Sequence, residues 1–598
     1  MTDNLSSTSD MQAAASGQMA WNSDAIAETL RRLDIEYIAL VPGSSFRGLH
    51  DSLVNFGGNK RPEIILCLHE EHAVAVAHGY YKASGRPMAV ALHANVGLMH
   101  ASMAIFNAWC DRVPILILGA AGPYDAAKRR PWVDWLHSAA DIGALVRGYT
   151  KWDDQPLSCE ATVEALLRGH SIAMSLPRGP TYVCMDVTMQ EQPIEKNFVL
   201  PQTARFGPAT AGDPRPEDVE AVARHIRQAE RPVFLLGRVS AEDVDWGRRV
   251  ALAEATGARV IADLRVGSRF PSDHPNLAAA PGLMIDAKAA RCIGNADLIV
   301  SFDWVDLGGT LKLSFGDKTP SKIVHCSMDQ HIHRGWSMDY QSLPPTDMHL
   351  LADPDRLIER LLEQMPERSA LIASSLSAKL IESIDPVDDG SPIGMERFSA
   401  IATGGLRDHD PCYIRLPIGW PGERCEFKGP RDYLGYDGSG GIGSGPGMAV
   451  GGALALRDTG RLAVAVLGDG DFMMGATAIW TAVNKKAPLL VIVANNQSFF
   501  NDELHQERVA RARLRDWRNR GVGVRVEGPV VNLAELGHAQ GAISFGPITT
   551  EIALKAALTD AVAELKAGAV VVIDVHVASE YGRGIPQSVL QSSEEEAR

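Results

Sequence analysis

The sequence predicts an α/β protein made of three doubly wound, parallel-sheet domains, and three observations predict it. Apolar strands alternate with helical stretches along most of the chain, the order expected of repeated βαβ units. Several strands are apolar at every position rather than at every second one, as parallel strands covered by helices on both faces should be. Two polar, Pro-containing stretches divide 598 residues into three blocks of similar size, and 598 residues are too many for one core.

The strands follow in order. The first block carries EYIALVP (36–42), EIILCL (63–68), PMAVALH (87–93) and PILILGA (114–120). The second carries PVFLLG (232–237), ARVIAD (258–263), DLIVSF (297–302) and KIVHC (322–326), and the third LAVAVLG (462–468), LLVIVAN (489–495) and VVVIDV (570–575). Helical stretches such as EEHAVAVAHGYYKA and PEDVEAVARHIRQA lie between them. The linkers set the boundaries: a disordered leader at 1–20, a first domain at 21–190, a linker at 191–213, a central domain at 214–370, a linker at 371–394, a third domain at 395–580 and an acidic tail at 581–598. No short solenoid repeat is visible.

Composition removes several function classes. The chain is 45% hydrophobic and 22% charged, close to an average soluble protein. A net charge of −15 with no offsetting basic face argues against a nucleic-acid partner. No apolar run is long enough for a membrane span. The N-terminus lacks the basic start and apolar core of a secretory signal. Eight scattered cysteines without a CxxC pair fit reduced thiols, hence a cytoplasmic protein.

The chemistry is concentrated in GDGDFMMGATAIWTAVNKKAPLLVIVANN (468–496). Gly468 and Gly470 flank Asp469 at the end of a buried strand, where a missing Cβ lets a ligand approach the backbone. A helix starting near Phe472 would turn free N–H groups toward an anion. The next strand, after a right-handed crossover, ends at Asn495 and Asn496. Asp469 and Asn496 should therefore meet at one edge of a parallel sheet, where ligands bind such folds. One carboxylate, one amide oxygen and a carbonyl suit Mg²⁺ that keeps phosphate oxygens as further ligands. On its own, GDG is equally compatible with a plain βαβ unit and a tight turn.

GDG, then 24 residues, then NN resembles the binding motif of thiamine-diphosphate (ThDP) enzymes of the acetolactate synthase, benzoylformate decarboxylase and pyruvate oxidase superfamily. The resemblance implies that Asp469, Asn496 and the carbonyl of Ser498 hold Mg²⁺, with Gly468, Gly470, Asp471 and Phe472 around the diphosphate. It names the three domains pyrimidine-binding, central and diphosphate-binding. It also implies an acid for the aminopyrimidine ring. CLHEEHAVAVAHGYYKASGRPMAVALH has the matching layout, with Glu70 ten residues before Tyr80 and Glu71 as the alternative. Such an acid favours the imino tautomer of the pyrimidine, which makes the cofactor a carbon nucleophile; the protein supplies position and electrostatics. GSGGIGSGPGMAVGGALALR (438–457) resembles the segment whose wedge residue bends the cofactor. Ile442 is the wedge in one register and Ser444 in another, with Gly440 and Gly441 beneath the pyrimidine.

VPGSSFRGL (41–49) and LHANVGLMHASMAIFNAWCDRVPILILGA (92–120) resemble benzoylformate decarboxylase segments that place a Ser and a His by the substrate, here Ser44 and His93. His93 would move protons, its pKa lying near neutrality. The second His that benzoylformate decarboxylase takes from its central domain has no counterpart in SFDWVDLGG (301–309), and the adjacent His pair of pyruvate decarboxylases is missing. His100, His505, Phe499 and Phe500 are candidates for the substrate pocket; the two Phe are equally compatible with core. VGSRFPSDHPNL (266–277) resembles a segment that acetolactate synthases place near FAD. No flavin-specific residue set accompanies it, so FAD is not expected, though it stays open.

The expectation is a ThDP- and Mg²⁺-dependent enzyme that makes or breaks the bond beside a carbonyl. Its first form is a 2-oxo acid decarboxylase, with or without ligation to an aldehyde. The alternatives are a lyase of 2-hydroxy ketones or 2-hydroxyacyl-CoA, and a non-catalytic ThDP-binding homologue. In this family Glu70 of one subunit reaches the cofactor held by the other, so a homodimer is the minimum and a homotetramer is common.

Overall fold

In a computed structural model, the described residues are 17–316, 318–319, 321–329, 343–365, 385–387 and 390–580. Most of the expected leader and of the 371–394 linker, and the whole tail at 581–598, lie outside them. The chain forms two compact units that divide after Thr210.

The first unit holds a parallel sheet of β1 (Tyr37–Leu40), β2 (Glu63–Leu66), β3 (Met88–Leu92), β4 (Ile115–Ala121), β5 (Trp152–Asp154) and β6 (Thr181–Asp186). The spatial order is β2-β1-β3-β4-β6-β5. β1, β3, β4 and β6 are buried at every position, which explains why β1, β3 and β4 read as unbroken apolar runs. Helices Asn22–Arg32 and Cys159–Met174 cover one face, with Ile26, Leu30, Val163 and Leu166 packed on Leu116, Leu118 and Val183. The order matters for the site. β2, β1 and β3 are neighbours, so the loops leaving their carboxyl ends lie side by side.

The second unit holds two more parallel sheets. One consists of β7 (Pro232–Leu236), β8 (Arg259–Ala262), β9 (Leu298–Phe302), β10 (Lys322–Cys326) and β11 (Met348–Leu350), ordered β11-β10-β9-β7-β8. The other consists of β12 (Pro411–Arg415), β13 (Leu462–Gly468), β14 (Leu489–Asn495), β15 (Ile543–Ile548) and β16 (Val570–His576), ordered β12-β13-β14-β16-β15. The sheets confirm three parallel α/β domains. The 266–272 stretch engages the third domain: Ser268 N–H donates to Tyr433 O at 2.9 Å, Ser268 Oγ to Gly429 O at 2.6 Å, and Phe427 N–H to Ser272 Oγ at 2.8 Å.

In the third sheet, Gly468 sits opposite Ala494, so β13 and β14 end level with each other. β12 lies on the other side of β13 and ends at Arg415. Three chain exits therefore share one sheet edge: Arg415, Asp469 and Asn496.

Candidate functional site

Two groups of side chains occupy strand ends, one in each unit. The group at the β13–β14 edge is built largely from backbone. Asp469 begins the helix Asp469–Gly475, and its Oδ1 accepts from Gly470 N–H at 2.8 Å. Its Oδ2 accepts from Ser498 N–H at 3.1 Å, and Asn496 Oδ1 accepts from the same N–H at 3.0 Å. Two oxygens from adjacent strands thus converge on one amide. The Ser498 hydroxyl is engaged by Glu503, at 2.7 Å, so its carbonyl remains as a third oxygen. Glu503 is itself fully buried and fixed by Arg525 Nε at 2.8 Å and Arg520 Nε at 3.1 Å.

Burial pushes the Asp469 carboxyl up to about 6, against the backbone donors that lower it. Among the described residues no Lys or Arg pairs with it. A buried carboxylate without a cation, beside an amide oxygen and a carbonyl, is a hard-oxygen set that fits Mg²⁺. The two asparagines differ in role. Asn495 donates to Asp574 Oδ1 at 2.9 Å and accepts from Gln497 N–H at 3.1 Å, so it is committed to the sheet. Gln497 then takes a left-handed φ of 56°, which turns the chain toward Ser498.

The glycine-rich loop lies against the same edge. Gly470 has no room for a Cβ, because the Phe499 ring would meet it at 2.6 Å. Phe499 is 36% exposed, whereas Phe500 is buried. Asp471 Oδ1 accepts from Gly443 N–H at 2.7 Å and Gly445 N–H at 3.2 Å. Phe472 is fully buried, so its side chain belongs to the core. Gly440 is left-handed at φ 83° and donates its N–H to Asp437 Oδ1 at 2.8 Å, with Gly441 following it. Ile442 is half-buried; Ser444 is buried at the start of the helix Gly445–Leu456.

The group in the first unit is built from side chains. Glu70 is the first residue of the helix Glu70–Ser84, which His69 caps by accepting Glu71 N–H at 3.2 Å. Gly97 leaves room for the Glu70 side chain; a Cβ there would stand 3.3 Å from Glu70 Cγ. Glu70 Oε2 lies 3.0 Å from His100 Nδ1, and the His100 ring stacks on His69 at 5.2 Å. His69, Glu70 and His100 form a compact trio of potential ligand atoms. His93 leaves β3 just before the helix Ala94–Cys110. Burial, then the neighbouring His137 with its ring 4.8 Å away, holds His93 below the usual histidine value. Its Nδ1 shares a hydrogen bond with Ser45 Oγ at 2.8 Å.

Glu70, His93 and Ser44–Ser45 thus follow β2, β3 and β1, neighbouring strands of one sheet. Ser44 is exposed, while Ser45 is buried against His93. Sequence reasoning missed Ser45, and the SS pair in the quoted loop was the available signal. It also missed His137 and Arg415, which lie far in sequence from the residues they contact, and Glu503 and Asp437, whose bonds to Ser498 and Gly440 are local but carry no motif. His505 sits on the helix Phe500–Ala512, its Nε2 3.2 Å from Asn501 Nδ2.

Comparison with known proteins gives the family and the fold. The N-terminal TPP binding domain of thiamine pyrophosphate enzymes matches residues 21–145, their central domain 219–361 and their C-terminal TPP binding domain 419–575. Benzoylformate decarboxylase of Pseudomonas aeruginosa is 25% identical over 76% of this chain and 84% of its own. Acetolactate synthase 2 of Brassica napus is 23% identical over 79% and 73%. The crystal structure of benzoylformate decarboxylase from Polynucleobacter necessarius superposes with a TM-score of 0.77 at 20% identity, covering 94% of this chain and all of that one.

Proposed function

This chain belongs to the thiamine pyrophosphate enzymes, and from that premise we propose that it is a Mg²⁺-dependent decarboxylase of 2-oxo acids, able to pass the acyl unit to a proton or an aldehyde. One observation carries the proposal: Asp469 Oδ2 and Asn496 Oδ1 converge on Ser498 N–H at the ends of adjacent strands. Those two oxygens and the Ser498 carbonyl would hold the metal, with Gly470 and Asp471 placed to receive the diphosphate. Ile442 is the wedge; its half-exposed position supports it over the buried Ser444.

Bound there, ThDP would supply a carbon nucleophile and an electron sink for decarboxylation. The protein's groups do the rest. Glu70 shares a proton with the pyrimidine ring from one carboxyl oxygen while His100 contacts the other. His93, neutral at physiological pH, accepts and returns a proton at the reacting carbon, and Ser45 fixes the direction of its ring. Ser44 and Phe499 face the substrate. Glu70 of one subunit serves the cofactor of another, which makes a homodimer the minimum active unit and a homotetramer the working assembly. No helix among the described residues is long and apolar enough to cross a membrane. Eight cysteines without a bridge fit the reducing cytoplasm.

Product analysis tests the proposal. Purified protein with ThDP and Mg²⁺ is offered pyruvate, benzoylformate, benzoin or a 2-hydroxyacyl-CoA, each with and without an aldehyde. We expect CO₂ from a 2-oxo acid, reduced about 10²–10⁴-fold in Glu70→Gln, the usual range for general acid–base groups. Aldehyde release from benzoin or the thioester without CO₂ would replace the decarboxylase with a lyase. ThDP binding with no turnover of any of these would favour a non-catalytic homologue.

A further inference from the structure

The wedge loop poses a physical problem. Residues 437–445 contain glycine at 438, 440, 441, 443 and 445, and Gly438, Gly440 and Gly443 have φ of 92°, 83° and 102°. Glycine gives the unfolded and mobile states many conformations, so fixing such a loop is entropically unfavourable. A flexible wedge would not hold a cofactor in one shape, so something must hold the loop before the ligand arrives.

Two carboxylates hold it, one at each end. Asp437 Oδ1 takes Gly440 N–H; Asp471 Oδ1 takes Gly443 and Gly445 N–H. Both carboxylates are buried. Asp471 also lies in the first turn of the helix that carries Asp469, close to where a diphosphate and its metal would sit. Two buried acids beside an anionic ligand are unfavourable unless a cation offsets them.

That cation is Arg415 at the end of β12. Its side chain is 3% exposed, and its Nη2 lies 2.7 Å from Asp437 Oδ2. Its Nε lies 3.8 Å from Asp471 Oδ2, and the Tyr436 ring stands 3.7 Å from the guanidinium carbon. One rigid fork thus reaches both acids that hold the loop, a geometry a lysine cannot reproduce.

We infer that Arg415 is a positioning residue of the cofactor site: through Asp437 and Asp471 it clamps the loop that carries Ile442 and so presets the bend of the bound cofactor. This rests on the ThDP reading above. Arg415 Nη1 has no hydrogen-bond partner among the described residues, so the competing role is direct donation to the diphosphate. The two roles differ in what they do to a ligand that has a diphosphate but no rings.

The test uses the full chain as wild type, Arg415→Lys and the charge-neutral double variant Arg415→Gln/Asp437→Asn, which keeps the protein testable if one variant fails to fold. Calorimetry measures ThDP and inorganic pyrophosphate, each with Mg²⁺. Amide exchange of the cofactor-free protein is followed at 438–445, with β13 and β14 as the control for an intact fold. We expect ThDP affinity to fall by about tenfold or more, as loss of charge-assisted bonds predicts. Pyrophosphate affinity should change less than about threefold, and exchange should quicken at 438–445 only. Equal weakening of both ligands would assign Arg415 to the diphosphate instead and overturn the clamp. Unchanged exchange at 438–445 would overturn it as well. If wild type binds pyrophosphate but not ThDP, the functional reading fails, while the exchange arm still decides the clamp.

Discussion

The β13–β14 edge and the β2–β1–β3 edge use opposite means. At the first, Asp469, Asp471 and Asn496 are held by backbone N–H groups of Gly470, Ser498, Gly443 and Gly445. At the second, Glu70 and His93 are held by side chains, His100 and Ser45. Backbone partners depend on chain path, which glycines and strand ends dictate. Side-chain partners depend on which residues several loops bring together. The first edge is suited to hold a constant ligand; at the second, the groups around His93 are free to vary with the substrate.

The largest expected effect breaks the first edge. Asp469→Ala removes the only charged oxygen of the proposed metal set, and ThDP affinity in the presence of Mg²⁺ should fall by about 100-fold or more, since even indirect metal partners are worth 10–100-fold. Isothermal titration reads it. The paired asparagines sharpen the point. Asn496→Ala should weaken the cofactor in the same way with little change in melting temperature. Asn495→Ala should do the reverse, because it leaves the buried Asp574 Oδ1 without its donor. The cost is about 1–3 kcal/mol of stability. Equal cofactor loss in both variants would remove the division of labour between neighbours.

This contrast also explains what the sequence made legible. The strands read from apolar runs all appear, because a strand buried on both faces leaves an unbroken apolar signature. The strands not read that way are mostly short or lie at sheet edges: WDD at 152–154, MHL at 348–350, PCYIR at 411–415 and ISFGPI at 543–548. TYVCMD at 181–186 is interior, but Thr and Asp at its ends shorten the apolar run. Asp469 and Asn496 were legible because their spacing is set by one βαβ unit. Arg415 was not, since nothing local in PCYIR distinguishes a buried clamp from an edge-strand charge. Ser45 was not, since one turn of 3₁₀ helix, Ser44–Phe46, turns two adjacent serines in different directions.

The next effect concerns the second edge and pH. In the unfolded chain His93 titrates near 6.5, but burial and His137 hold its folded value lower. Between the two values the unfolded chain binds a proton that the folded chain refuses. Stability is therefore full above about 6.5 and is lost as pH falls through that window. His93→Gln keeps a polar side chain without the titration. Its melting temperature should lie below that of wild type at pH 7.5, and the gap should narrow as pH is lowered to 5. A gap that stays constant would mean that His93 is not kept neutral by the fold.

The smallest effect tests a feature the two edges share. Each turns its chain with a non-glycine residue in the left-handed region directly after a functional side chain: Ala94 after His93 at φ 46°, and Gln497 after Asn496 at φ 56°. A left-handed residue with a Cβ costs roughly 1–2 kcal/mol. Glycine would relieve that strain but adds about 0.5–1 kcal/mol of backbone entropy to be lost on folding. The two terms partly cancel, so Ala94→Gly and Gln497→Gly should each raise stability by no more than about 1.5 kcal/mol. Function should separate them. The turn at Gln497 is bracketed by hydrogen bonds from Gln497 N–H to Asn495 Oδ1 and from Ser498 N–H to Asp469 and Asn496, so cofactor affinity should survive the extra freedom. The turn at Ala94 is closed by Gly97 N–H donating to His93 O at 2.8 Å, but the His93 ring itself is directed by the side-chain bond it shares with Ser45, so turnover should fall there while affinity holds. If Gln497→Gly lowers cofactor affinity as strongly as Asn496→Ala, the backbone bonds do not preset the first edge, and the contrast between the two edges is lost.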